Sequence, residues 1–284
     1  MAVFLGLLVA VGYGTGDFFG GRASRDAPTL GVLFVAQCTA LGGALAVALL
    51  VGADVAPRDL GFGAAAGLLS AGGLGLLYRG LATGRMGVVA PVTAVVAALI
   101  PIAWGLATGE RPSALTLVGV GVAVAAGGIV AREPDFPDEP PTTDTRSALL
   151  MALGAGSMFG LSFVLFAETG DASGYWPVLV ARVAAVAAIG IAVVAVTRYR
   201  HGSILPRDHA RSLAIGAGAL DVASTALLLT AVREGLVVVV APLAAIAPAF
   251  TVIWAWALLK EPVTRHQVVG IGLSLVGLAL IAAG

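Results

Sequence analysis

The chain has 284 residues, 59% of them hydrophobic and 11% charged, with a mean hydropathy of +1.00 and zero formal net charge. Soluble domains carry about 25% charged residues, so a water-soluble fold is excluded, and a neutral chain offers no basic footprint to nucleic acid. The single cysteine, Cys38, excludes an intrachain disulfide.

Apolar runs between charged or proline-rich breaks fall at roughly 2–21, 29–51, 60–78, 86–107, 113–131, 147–167, 175–197, 211–232, 236–258 and 265–283. Each is long enough to cross about 30 Å of hydrocarbon at about 1.5 Å per residue. None alternates apolar and polar positions as a strand of a membrane barrel does. The expected fold class is an all-α membrane protein with ten transmembrane helices. The first run follows the initial methionine with no positive segment, so it reads as retained rather than as a cleaved signal peptide.

The first span contains "GYGTGDFFGG", Gly12–Gly21. Gly12, Gly16 and Gly20 recur every fourth residue and form a stripe for close helix packing. Asp17 lies beside that stripe, five residues from Arg22, about 7.5 Å along a helix. It either pairs with a nearby arginine or faces a cavity as a proton or cation site. In the second span, "LFVAQCTA" carries Gln37.

Pro91 in the fourth span and Pro242 in the ninth lack an N–H and free the carbonyls of Gly87 and Val238, one turn back. In lipid such carbonyls need a partner, so these turns belong inside protein or against a wet cavity. A packing kink is the alternative. Glu110 and Glu261 precede Pro112 and Pro262 at the starts of spans 5 and 10, where acid and proline both stabilise a helix N-terminus.

The linker "REPDFPDEPPTTDTR", Arg132–Arg146, holds four prolines and five acids, which keep it extended and solvated. It divides the chain into a first five-helix repeat, 1–131, the linker itself, 132–146, and a second five-helix repeat, 147–284.

Arg182 in the seventh span lies five residues past Pro177. Its long stem permits snorkelling to the interface. Alternatively it binds a substrate carboxylate or holds the charge of Asp221. Asp221, ten residues from Arg211 and twelve from Arg233, is the deepest ionisable residue. A charge there costs several kcal/mol against lipid, so it must face the interior, holding a proton or a cation. The structural alternative is a carboxylic acid that glues two helices by a hydrogen bond. One cation and two acids inside the membrane suit a zwitterionic or amine-bearing solute.

The halves are related. "GRMGVVAPVTAVVAALIPIAWGLATGE", Gly84–Glu110, lies over "GLVVVVAPLAAIAPAFTVIWAWALLKE", Gly235–Glu261, without a gap. Pro91 with Pro242 and Glu110 with Glu261 keep the same offset of 151. Proline and glutamate are scarce in such spans, so their joint register is informative. Five is odd, so a second copy enters the membrane from the opposite face. The duplication thus implies an inverted-topology repeat with a site near the midplane, an architecture shared by many secondary transporters.

With "GYGTGDF" and "SMFGLSF" in spans 1 and 6, "VVAP" in spans 4 and 9, and "GE" or "KEP" before spans 5 and 10, the chain resembles the ten-helix EamA-domain proteins of the drug/metabolite transporter superfamily. The resemblance covers nearly the whole chain. It implies an exporter of small organic metabolites such as amino acids or amines, with a cavity lined by spans 1, 3, 4, 6, 8 and 9. Tyr13, Phe159 and Ser162 would line that cavity, near Asp17, Gln37, Arg182 and Asp221. The chain departs from the family's pattern at Asp17, where an aromatic is usual; Phe163 keeps the matching place in the second half.

Arginine and lysine segregate: twelve lie in loops after odd-numbered spans and three, Arg58, Arg111 and Arg233, on the other side. The positive-inside rule then puts both termini outside a cell (inner) membrane. His201, His209 and His266 lie in or beside loops with no metal-ligand spacing, and neither GxSxG nor HExxH occurs, so no enzyme, metal or cofactor is expected. The expected partners are a small-molecule solute, the lipid bilayer and a proton as coupling ion. A channel or lipid-translocating protein is the rival reading, although it needs a continuous polar stripe that these spans lack.

Overall fold

In the computed structural model of the chain, the residues described are 2–50, 53–83, 86–130, 145–200, 204–235, 240, 243–244, 246–259 and 265–283. Among them, helix dominates and no strand occurs. The helices are α1 (Ala2–Asp26), α2 (Thr29–Leu50), α3 (Pro57–Thr83), α4 (Met86–Ala107), α5 (Ala114–Val130), α6 (Thr145–Ala167), α7 (Trp176–Arg200), α8 (Asp208–Glu234), α9 (Ala247–Leu259) and α10 (Arg265–Ala283). Six of the described helices, α1, α2, α3, α6, α7 and α8, contain apolar stretches long enough to cross a bilayer, and α4, α5 and α9 contain shorter ones.

Local chemistry explains several boundaries. Pro57 opens α3, where its missing N–H costs nothing. The α5 start is capped by Ser113, whose hydroxyl accepts the Thr116 N–H at 3.1 Å. This side-chain cap comes from the serine, where sequence reasoning looked to Glu110. Around Ile246 the ninth span breaks its regular ladder: Ile246 N–H donates to Leu243 and Ala249 N–H to Ile246, both three residues back. Pro248 has no N–H to give the Ala244 carbonyl, so the continuous helix begins only at Ala247. Of the expected run 236–258, residues 236–239, 241–242 and 245 lie outside the described residues. The linker 132–146 falls outside the described residues as far as 144, and α6 begins at Thr145.

Packing pairs the halves crosswise. α1 packs on α8 and α9, while α6 packs on α3 and α4; α2 packs on α7 and α8, and α3 on α7. α5 packs chiefly on α10. Buried contacts are rich in alanine, with Ala10, Ala36, Ala40, Ala66, Ala152 and Ala214 at most 1% exposed. Without a hydrophobic driving force between helices in lipid, small residues let backbones approach and gain dispersion contact. The outer faces carry Leu50, Ile191, Leu150 and Val268, all well exposed, as a lipid-facing surface requires.

Two seams are closed at backbone distance. A Cβ on Gly67 would overlap the carbonyl oxygen of Ala181, joining α3 to α7; one on Gly218 would overlap that of Ala36, joining α8 to α2. Only glycine fits either position.

One end of the bundle is tied by polar loops. Asp59, in the first turn of α3 and 5% exposed, accepts the Gly170 N–H at 3.0 Å and the Ser173 hydroxyl at 2.6 Å. Ser173 in turn accepts the Ala56 N–H, and Arg233 at the end of α8 donates to the Gly170 carbonyl and pairs with Asp171. Replacing Asp59 by Ala strands the buried Ser173 hydroxyl and leaves the exposed Gly170 N–H to water. The expected loss is about 1–3 kcal/mol, read as a lower thermal-unfolding midpoint in detergent. The exposed neighbour Asp54→Ala should leave the midpoint unchanged, and equal shifts would refute this role for Asp59.

Candidate functional site

Asp221 sits midway along α8, and Thr225 follows one turn later on the same face. Arg182 of α7 reaches Asp221 with both terminal nitrogens: Nη1 to Oδ2 at 2.8 Å and Nη2 to Oδ1 at 3.4 Å. Gln37 of α2 bridges the pair, its Oε1 accepting from Arg182 at 3.2 Å and its Nε2 donating to Asp221 at 3.2 Å. Arg182 Nη2 also donates to Thr225 Oγ1 at 2.5 Å. The threonine proton is spent on the Asp221 carbonyl, at 2.8 Å. Tyr13 of α1, 3.1 Å from the same oxygen, must therefore act as donor.

The side chains of Arg182 and Asp221 are 3% and 17% exposed. Desolvating two charges costs several kcal/mol each, and their attraction returns about that much only with good geometry and added hydrogen bonds. The fork and the Gln37–Thr225 brackets supply both. An apolar pair would serve stability equally well, so the pair itself points to a use other than stability.

These groups form one wall of a cavity of about 90 Å³; a single water needs about 10–15 Å³. Asp17 and Tyr13 of α1 face it from one side, Ser70 and Tyr78 of α3 and Thr93 of α4 from another, and Phe159 and Phe163 of α6 from a third. The Tyr13 and Phe163 rings stack at 6.4 Å with planes 20° apart. Ala217, Ala244 and Ala247 keep the remaining wall low. Asp17 lies one turn after Tyr13, so both project from the same face of α1. Among the described residues it has no ion pair and no hydrogen-bond donor.

The structure thus brings Tyr13, Asp17, Gln37, Phe159, Arg182 and Asp221 to one cavity. α2 and α7 reach it too, which widens the set of lining spans implied by the resemblance. Ser162 does not line it. It is fully buried behind the wall and hydrogen-bonds Ser70 at 2.6 Å, so Ser70 presents the hydroxyl instead. Arg182 points inward rather than snorkelling. α4 runs as helix through Pro91, with Thr93 in the lining two residues on. Pro242 falls outside the described residues, although Ala244 beside it lines the cavity. Sequence reasoning missed Thr225, Ser70, Thr93 and Tyr78. Only Thr225 had a legible signal, one helical turn from a buried acid. Trp254 donates its indole N–H to Thr15 at 2.8 Å, while Trp256 stays exposed.

Residues 146–283 match the model of the EamA-like transporter family. No curated protein sequence matches. One solved crystal structure superposes with a TM-score of 0.69 over 97% of this chain and 98% of its own, at 16% identity. That likeness shows a shared fold across nearly the whole length. Together with the apolar helices, that match shows a multi-pass membrane protein whose residues 146–283 form an EamA-like domain of the drug/metabolite transporter superfamily.

Proposed function

We propose that the chain is a secondary carrier that exports small organic metabolites, amino acids or amines among them, by alternating access, with a proton exchanged at Asp17 or Asp221. The observation that carries this reading is a cavity at mid-helix depth whose polar groups come from both halves: Tyr13, Asp17, Gln37 and Ser70 from the first, Arg182 and Asp221 from the second. Carriers of this type hold their site between repeats.

Matched contacts support ten spans arranged as two inverted five-helix repeats. Gly67 against Ala181 in one seam answers Gly218 against Ala36 in the other. Gly14 against Ala247 and Phe250 answers Gly160 against Ala97 and Ile100. Exchanging the halves turns the first contact into its partner, and brings the second within one residue of its partner. Under the same exchange Arg182 takes the place of Gln37 and Asp221 that of Ser70, so the ion pair is a departure from symmetry made in one half only. The segregation of arginine supports termini outside a cell membrane.

Reconstituted in liposomes, the protein should catalyse solute flux that saturates with concentration and responds to an imposed pH gradient. Asp221→Asn should lower that flux at least about tenfold, equivalent to about 1.4 kcal/mol or more. Normal transport by Asp221→Asn at every pH would end the coupling proposal, and an unsaturable ohmic current would assign a pore instead.

A further inference from the structure

Three charged side chains line the cavity among the described residues: Asp17, Arg182 and Asp221. Two of them neutralise each other. Each terminal nitrogen of Arg182 already meets one carboxylate oxygen of Asp221 and a second acceptor, Gln37 on one side and Thr225 on the other. The arginine side chain is 3% exposed. A solute carboxylate could reach it only by displacing Asp221 and leaving that acid unpaired in a low-dielectric site, which is strongly unfavourable. Only its Nε is unspent, and that atom is fully buried without a hydrogen-bond partner, so the arginine offers no free terminal nitrogen to a solute.

Asp17 is the opposite case. It faces the same cavity from α1 with no ion pair and no donor among the described residues, and the neighbouring walls are aromatic. Tyr13 precedes it by one turn, Phe163 stacks on Tyr13, and Phe159 lines the space as well. Ring faces carry a negative quadrupole and attract cations within about 6 Å of the ring centre. They offer nothing to an anion. Ala217, Ala244 and Ala247 leave room, and the hydroxyls of Ser70, Tyr78 and Thr93 add polar groups without charge.

Accepting that the cavity is the solute site of a carrier, we propose that its solute is a small organic monocation, an ammonium with an apolar body and no carboxylate, held at Asp17 among Tyr13, Phe159 and Phe163. The Arg182–Asp221 pair, neutral as a whole, gives the solute no free countercharge. This narrows the zwitterion-or-amine expectation to the amine.

The test is calorimetric titration of the purified full-length protein in detergent with three ligands sharing one skeleton: 2-phenylethylammonium, phenylalanine and 3-phenylpropanoate. The ammonium should bind at least about tenfold more tightly than the zwitterion, and the carboxylate should give no binding heat. Asp17→Asn should weaken ammonium binding at least about tenfold, while Asp17→Glu should retain it. Phenylalanine or phenylpropanoate binding as tightly as the ammonium would overturn the assignment. So would unchanged ammonium affinity in a folded Asp17→Asn protein, or no binding of the ammonium at all. If Asp17→Asn fails to fold, the ligand ranking on the unaltered protein decides alone.

Liposome flux separates this inference from the carrier reading. Saturable flux of a zwitterion or anion without ammonium binding would sink the cation assignment and leave the carrier standing. Ammonium binding at Asp17 without flux of any solute would do the reverse.

Discussion

Gly67→Ala should force α3 away from α7 and leave little folded protein. The added methyl carbon meets the backbone carbonyl of Ala181, and a backbone cannot rotate aside as the tip of a side chain can. Overpacking usually costs about 1–3 kcal/mol and occasionally more; contact with main chain puts this substitution at or above the top of that range. Gly218→Ala, against the Ala36 carbonyl, should be as damaging. The control is Gly61→Ala on the same helix as Gly67, where nothing lies within 4 Å of the added carbon. It should be neutral, or stabilise by about 0.5–1 kcal/mol because alanine loses less backbone entropy in a helix. Fluorescence-detected gel filtration after graded heating would rank the three. Similar midpoints for Gly61→Ala and Gly67→Ala would refute the backbone contact.

The second large effect is an asymmetry within the ion pair. Asp221→Ala leaves Arg182 buried without its countercharge, and a guanidinium cannot shed its proton. Removing one partner of a buried pair costs about 3–5 kcal/mol. Arg182→Ala leaves a carboxylate that can take up a proton and become neutral, so it should cost distinctly less. Replacing both residues by leucine should recover most of the loss, because the pair's attraction roughly offsets its desolvation. Thermal unfolding of the two single variants and the double variant forms a cycle that isolates the coupling. Arg182→Ala as costly as Asp221→Ala would show that packing, not charge, holds the site.

The helices were legible because each has to satisfy its own backbone in lipid, which forces long apolar runs with polar or proline breaks. The break at Ile246 was hidden inside such a run. Its cause, Pro248, lies within "AAIAPAF", where hydrophobicity alone gives no boundary. For the site, scarcity did the work: Asp17, Arg182 and Asp221 stand out because charge is expensive at depth. Arg182 holding the charge of Asp221 was one of the alternatives the sequence offered; the bridge through Gln37 was not legible, since Gln37 meets Asp221 across 184 residues and Arg182 across 145. Ser162 and Ser70 show the finer limit. Both are small and polar, and only a rotation of a few tens of degrees about a helix axis decides which hydroxyl faces the space. The loop tie through Asp59 was invisible for a related reason, because its partners Gly170 and Ser173 are ordinary turn residues until the fold apposes them.

The two glycine seams have a mechanical consequence. Where ridges of side chains interlock, moving one helix past another means lifting each knob out of its hole. At Gly67 against Ala181 and at Gly218 against Ala36 the facing surfaces are bare main chain, so little interlocks at those two points. Elsewhere the second seam is pinned, by Val222 against Gly43 and by Gln37 against Asp221. Sliding α2 past α8 therefore means carrying or breaking that polar bridge.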